Sequence, residues 1–177
     1  MKVFIFNGTK IAYSIFGISC VCLIFYFAFS PSKDKLAATS NFVEKSYLAI
    51  IIDDFGNGTN GTDDFLNLDV PYTAAVMPKM PNSKEEAEEL RKKGKDTILH
   101  LPMEAHTGSA TWLGGGAILN NMSLDEVEKR IIEDAESVGN IVGINNHMGS
   151  KITENEDIMK KVIEYCKENK LIFIDSK

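Results

Sequence analysis

Five short apolar runs, at 47–52, 72–76, 97–101, 141–144 and 171–174, recur along the chain with helix-patterned stretches between them. This alternation constrains the fold more than any other feature. A parallel strand pair needs a long crossover, and the helix in that crossover must cover a face of the sheet. Most of the runs are apolar at consecutive positions, as expected of strands buried on both faces. The reading is therefore α/β, built from parallel βαβ units over residues 43–177.

The helical stretches carry their own start and stop signals. Ser83 with Glu86, and Ser123 with Glu126, fit the capping-box spacing, and Gly94 is placed to end the helix that Ser83 opens. Leu124, Val127, Ile131 and Ala135 share one helical face that runs to Gly139. Thr153 is expected to open a last helix containing Ile158, Met159, Val162, Ile163 and Cys166. No signature of a reactive thiol surrounds Cys166, so it is assigned to that helix face. The sequence stops at Lys177, just beyond the last strand-like run. A parallel barrel lacking its final strands is the expectation drawn from that end.

Residues 11–30, IAYSIFGISCVCLIFYFAFS, form a run of 20 without a charge. A helix crossing a bilayer needs roughly 20 such residues, whereas the apolar part of a cleaved signal peptide is only about 7–15 long. The expected organisation is a leader at 1–10, a transmembrane signal anchor at 11–30, a polar linker at 31–42 and the folded domain at 43–177. Lysines flank the run on both sides, so charge does not set its orientation. By analogy with signal anchors, a single-pass protein of the cell membrane with an extracytoplasmic domain is expected. The net charge is −6 and no basic stripe is present, which argues against nucleic acid as a partner.

In parallel α/β folds, functional groups collect at the carboxyl ends of strands. Here those ends hold Asp53 and Asp54, then His100 and Glu104, then Asn145, Asn146, His147 and Ser150, and finally Asp175. Two histidines converging with paired aspartates form a divalent-metal set that suits Zn²⁺, with one position left for water. One aspartate of the pair can bind the ion while its neighbour accepts a proton. The idea requires the ring nitrogens of His100 and His147 to lie within about 5 Å of each other.

The surrounding residues admit two readings each. Glu104 is a further carboxylate of the site or a rim residue. Asn145 and Asn146 orient substrate or satisfy backbone groups at a turn, and Asp175 supports the site or caps a strand. Glu104, Asn146, Ser150 and Asp175 are the substrate-binding candidates. His106, in the glycine-rich stretch 106–116, is not assigned as a ligand. Trp112 in that stretch is a sugar-stacking lid or a hydrophobic anchor.

The segments AIIIDDFG (49–56), TAAVMPKMP (73–81), LHLPMEA (99–105), GINNHMGSKIT (143–153) and FIDSK (173–177) resemble, in this order, the divergent polysaccharide deacetylases, relatives of the NodB-like carbohydrate esterases. The resemblance implies a deformed (β/α) barrel and a metal-dependent hydrolase that removes acetyl groups from a polysaccharide. It further implies Asp53 as base, with Asp54, His100 and His147 as metal ligands. The chain departs from NodB-type enzymes in lacking their His-x-x-x-His pair on one loop. That departure motivates the alternative of a metal- or glycan-binding module without turnover.

Overall fold

The computed structural model describes residues 46–176, so the leader, the apolar run at 11–30 and the linker at 31–42 lie outside the described residues. Among the described residues, no helix is long and apolar enough to cross a membrane. Five strands form one parallel sheet: β1 (Ile51–Phe55), β2 (Thr73–Val76), β3 (Asp96–Met103), β4 (Gly143–Met148) and β5 (Ile172–Ile174). Four helices lie in the crossovers: α1 (Thr62–Leu66), α2 (Ser83–Lys92), α3 (Leu124–Val138) and α4 (Glu156–Glu168).

Each strand lies beside the one that precedes it in the chain. Crossovers between parallel strands are right-handed, so a sheet that always advances in one direction carries its helices on one face. That is the winding of a (β/α) barrel, whereas a doubly wound sheet reverses direction part-way.

The two faces of the sheet therefore have different jobs. Toward the helices point Ala74 and Val76 of β2, Leu99, Leu101 and Met103 of β3, and Ile144 of β4. They form one core with Ala87 and Leu90 of α2, Val127, Ile131 and Val138 of α3, and Ile158, Val162 and Cys166 of α4. Side chains alternate along a strand, so the intervening positions face the other way. In β3 and β4 these are Ile98, His100, Asn145 and His147. The register sets His100 beside Asn145 and Pro102 beside His147. Gly143 lets β5 approach, because a Cβ there would lie 2.6 Å from Ile172 Cγ1.

Several elements differ from the sequence expectation. The first strand was expected at 47–52, yet it begins at Ile51 and carries Asp53 and Asp54 within it, while Tyr47 and Leu48 are exposed. Strand β4 likewise runs past the end of its apolar run, so His147 sits inside it and not just after it, while β3, which holds His100 well inside it, continues beyond Leu101 to Met103. The short helix α1 has no counterpart in the expectation. At Ser83 the capping box does not form: Asn82 precedes the helix without a side-chain cap, and Ser83 donates to the Met77 carbonyl at 2.6 Å. Helix α4 is capped by Asn155 and not by Thr153, whose hydroxyl donates to the Gly149 carbonyl. The box at Ser123 and Glu126 is complete.

Candidate metal centre

Adjacent residues of a regular strand point to opposite faces, so Asp53 and Asp54 reach one site only through an irregularity. Ile52 pairs with Ala74 and Phe55 with Val76, so two residues of β1 face the single Ala75 of β2. This is a β-bulge, a device that re-aims side chains. Asp54 takes a left-handed conformation, φ 67°, which aspartate tolerates better than most residues. Just beyond it, Glu86 of α2, 6% exposed, accepts the Gly56 and Gly58 amides at 2.5 and 2.9 Å. A buried carboxylate thus ties down the loop that leaves the bulge.

Three ligand-type atoms converge. Asp54 Oδ1 lies 3.3 Å from His100 Nε2 and 3.3 Å from His147 Nδ1, and the two ring nitrogens are 3.1 Å apart. Tetrahedral zinc with bonds of about 2.0–2.1 Å has neighbouring ligand atoms about 3.3 Å apart, so the triangle fits such an ion. The Asp54 carboxyl is held well below the usual carboxylate range, first by its hydrogen bond with His100 and then by that with His147. The His147 imidazole is pushed above 6.5, chiefly by Asp54.

The outer nitrogens are also held. His147 Nε2 lies 3.0 Å from the Trp112 carbonyl, which can only accept, so this nitrogen carries the hydrogen. His100, 3% exposed, has Nδ1 2.8 Å from Asn145 Oδ1. Asn145 Nδ2 donates to Asp53 Oδ1 and to Ser176 Oγ, each at 3.0 Å. Asp53 Oδ1 is 3.9 Å from His100 Nδ1, and its side chain is 42% exposed, open to a reacting molecule.

The remaining candidates are distributed as follows. Glu104 accepts the Asn120 amide at 2.7 Å and pairs with Lys151 at 2.6 Å. Lys151, followed by that amide, keeps the Glu104 carboxyl below its ordinary value. Both side chains line a cavity of about 500 Å³ together with Leu113, Asn121 and Met148. Ser150 Oγ accepts the His106 amide at 3.0 Å, and Asp175 is exposed just after β5. Asn146 is 2% exposed; its amide donates to the Met148 carbonyl and accepts the Ser176 amide. Both bonds satisfy backbone groups.

Sequence reasoning missed three contributors. By residue type Asn145 is only half of an Asn pair, although it lies two residues before His147 and so shares its face. Glu86 has the spacing of a helix cap and gives no sign of its bonds to Gly56 and Gly58. The Trp112 carbonyl is a backbone group, which residue type does not reveal.

The domain is a parallel α/β fold in which Asp54, His100 and His147, a group able to hold a metal ion, meet at strand carboxyl ends. The chain belongs to the divergent polysaccharide deacetylase family, whose model matches residues 50–177. It is 36% identical over 141 residues to the uncharacterized protein YibQ of Escherichia coli K12, covering 80% of this chain and 44% of that protein. It is 30% identical over 139 residues to an uncharacterized protein of Haemophilus influenzae, covering 78% of this chain and 49% of that one. The chain thus spans about half the length of the curated relatives it matches. A crystal structure of an uncharacterized Agrobacterium tumefaciens C58 protein shares the fold, with a TM-score of 0.65 at 19% identity, over 72% of this chain and 52% of that one.

Proposed function

We propose that this domain is a metal-dependent deacetylase of an extracytoplasmic polysaccharide, with Asp54, His100 and His147 holding a divalent ion, Zn²⁺ by donor type, and Asp53 acting as base. The observation that carries the reading is the triangle of ligand atoms, 3.1–3.3 Å on each side, at the carboxyl ends of three strands. When bound, the ion would supply Lewis acidity and make water a nucleophile near neutral pH. The residues of the chain do the rest. Asp53, half-exposed and oriented by Asn145, takes the proton of the attacking water. Water oxygen joins the acetyl carbonyl carbon, the bond to nitrogen or oxygen breaks, and the proton taken up by Asp53 passes on to the departing nitrogen or oxygen. Acetate and a free amine or hydroxyl leave.

Two features support a polymer substrate. The cavity lined by Glu104 and Lys151 shares Met148 and Leu113 with the segments flanking His147 and its Trp112 contact, which leaves room for a sugar beyond the acetylated one. Trp112 is 65% exposed beside it, a flat face on which a sugar ring can stack. The single-direction strand order supports the finer reading of a NodB-like barrel. The uncharged run at 11–30 supports a membrane anchor with the domain outside the cytoplasm.

The test is metal analysis and acetate release by the full chain on acetylated glycans. Wild type should hold about one ion per chain and release acetate; Asp53→Asn should keep the ion and lose acetate, and His147→Ala should lose both. Metal without acetate on any acetylated glycan would instead support a binding module. Absence of both in the wild type would sink the metal-centre reading.

A further inference from the structure

The hydrogen bonds around Asn145 carry an inference that rests on the functional reading above and reaches past it. Asn145 is 1% exposed in the middle of β4, level with His100 in the neighbouring strand. Its side chain touches both halves of the site: the imidazole of a ligand through Oδ1 and the carboxylate assigned as base through Nδ2. An amide is polar in a fixed sense, since its oxygen only accepts and its nitrogen only donates. A carboxylate only accepts, so the nitrogen end must face Asp53. The oxygen end is thereby committed to His100, and His100 Nδ1 must carry the hydrogen. The lone pair then falls on Nε2, the atom 3.3 Å from Asp54 Oδ1 and 3.1 Å from His147 Nδ1.

We propose that Asn145 is a positioning residue that uses this fixed polarity to couple the two roles: it locks His100 in the metal-ready tautomer and separates the Asp53 carboxylate from the His100 ring. Asp53 Oδ1 is 3.9 Å from His100 Nδ1, beyond hydrogen-bond range, and Asn145 bonds to both. Without the amide, Asp53 is the nearest carboxylate that could bond to Nδ1. A carboxylate bound to a ligand imidazole is a common support for metal sites, but one occupied in that way is a poorer proton acceptor for substrate water. The neutral amide gives the imidazole an acceptor and leaves the carboxylate for chemistry.

Substitutions separate the two roles. Asn145→Asp keeps an acceptor for His100 but sets two carboxylates about one hydrogen-bond length apart. It should bind Zn²⁺ within a few-fold of wild type, or more tightly, while acetate release falls by at least about tenfold. Asn145→Leu removes both bonds and should weaken Zn²⁺ binding by about 10–100-fold, the usual effect of losing an outer partner of a metal ligand. The readout independent of activity is nitrogen NMR of the His100 ring in the full chain. Wild type should show the Nδ1–H tautomer, and Asn145→Leu a mixture.

A wild-type His100 protonated at Nε2 would overturn the proposal even in an active deacetylase. Equal loss of Zn²⁺ affinity in the Asp and Leu variants would overturn the coupling. Should no glycan yield acetate, the functional reading falls, while the tautomer and the Zn²⁺ titrations still decide the role of Asn145. If Asn145→Asp does not fold, the wild-type tautomer and the Leu variant decide it.

Discussion

His147 is gripped from both sides of its ring, by Asp54 at Nδ1 and by the Trp112 carbonyl at Nε2. Its imidazole keeps a proton to a higher pH than the ordinary 6.5, with Asp54 the largest cause. A raised value in the folded, metal-free state adds stability that is fully present below about 6.5 and lost as pH rises through the folded value. The same proton competes with a metal ion for Nδ1. Metal-free protein should therefore gain thermal stability as pH falls through the raised His147 value toward 6.5, while Zn²⁺ affinity falls over the same window. Thermal melts with and without Zn²⁺ read both slopes, and slopes of the same sign would contradict the assignment of His147 as ligand. His147→Ala should abolish both.

Among the elements, the two Ser-x-x-Glu sequences make a direct comparison. At Ser123 the hydroxyl accepts the Glu126 amide and Glu126 answers to the Ser123 amide, so Ser123→Ala should cost about 1 kcal/mol in denaturant unfolding. At Ser83 the hydroxyl holds Met77 and Met80, and Glu86 holds the loop after the Asp53–Asp54 bulge. Glu86→Gln, with a donor where an acceptor is needed, should lower Zn²⁺ affinity as well as stability, whereas Ser123→Ala should leave Zn²⁺ binding unchanged. Isothermal titration of the two variants separates these outcomes. The pair also marks what was legible in the sequence. The alternation of strands with the three longer helices was legible because apolar runs are local, whereas two of the three N-cap signals, at Ser83 and Thr153, were answered by other bonds. The ends of β1 and β4 were misplaced because Asp53, Asp54, Asn145, Asn146 and His147 break the apolar pattern while staying in the strand. A periodicity reading stops where the function begins. The bulge and the Asn145 bridge depend on partners far apart in the chain, which one strand's own sequence does not announce.

At the scale of the whole molecule, the loop from Glu104 to Met122 ties the sheet to α3. Gly116 in that loop, φ 83°, packs so closely on Asp134 of α3 that a Cβ would collide with the carboxylate. Asp134 is fully buried, 3.1 Å from Lys79 Nζ but without an aligned hydrogen bond to either oxygen, and burial pushes its pKa up to about 6. The folded chain thus takes this proton more readily than the unfolded one, whose value is near 3.8. Stability from this group is full below about 3.8 and is lost as pH rises through 6. Asp134→Asn should flatten that part of the pH dependence of thermal unfolding; an unchanged slope would remove Asp134 as its source. Gly116→Ala should both destabilise the domain and loosen the Trp112 grip on His147, seen as a lower melting temperature with weaker Zn²⁺ binding.

The strand order has a consequence for how the chain comes to be folded. Each strand docks beside the one made just before it, so a nascent chain can lay down β1 to β4 in the order of synthesis without waiting for a distant segment. The triad is different: Asp54 has both partners only once His147 has been translated, 93 residues later. Scaffold precedes site during synthesis, and an ion that needs all three ligands has nothing complete to bind until most of the sheet exists.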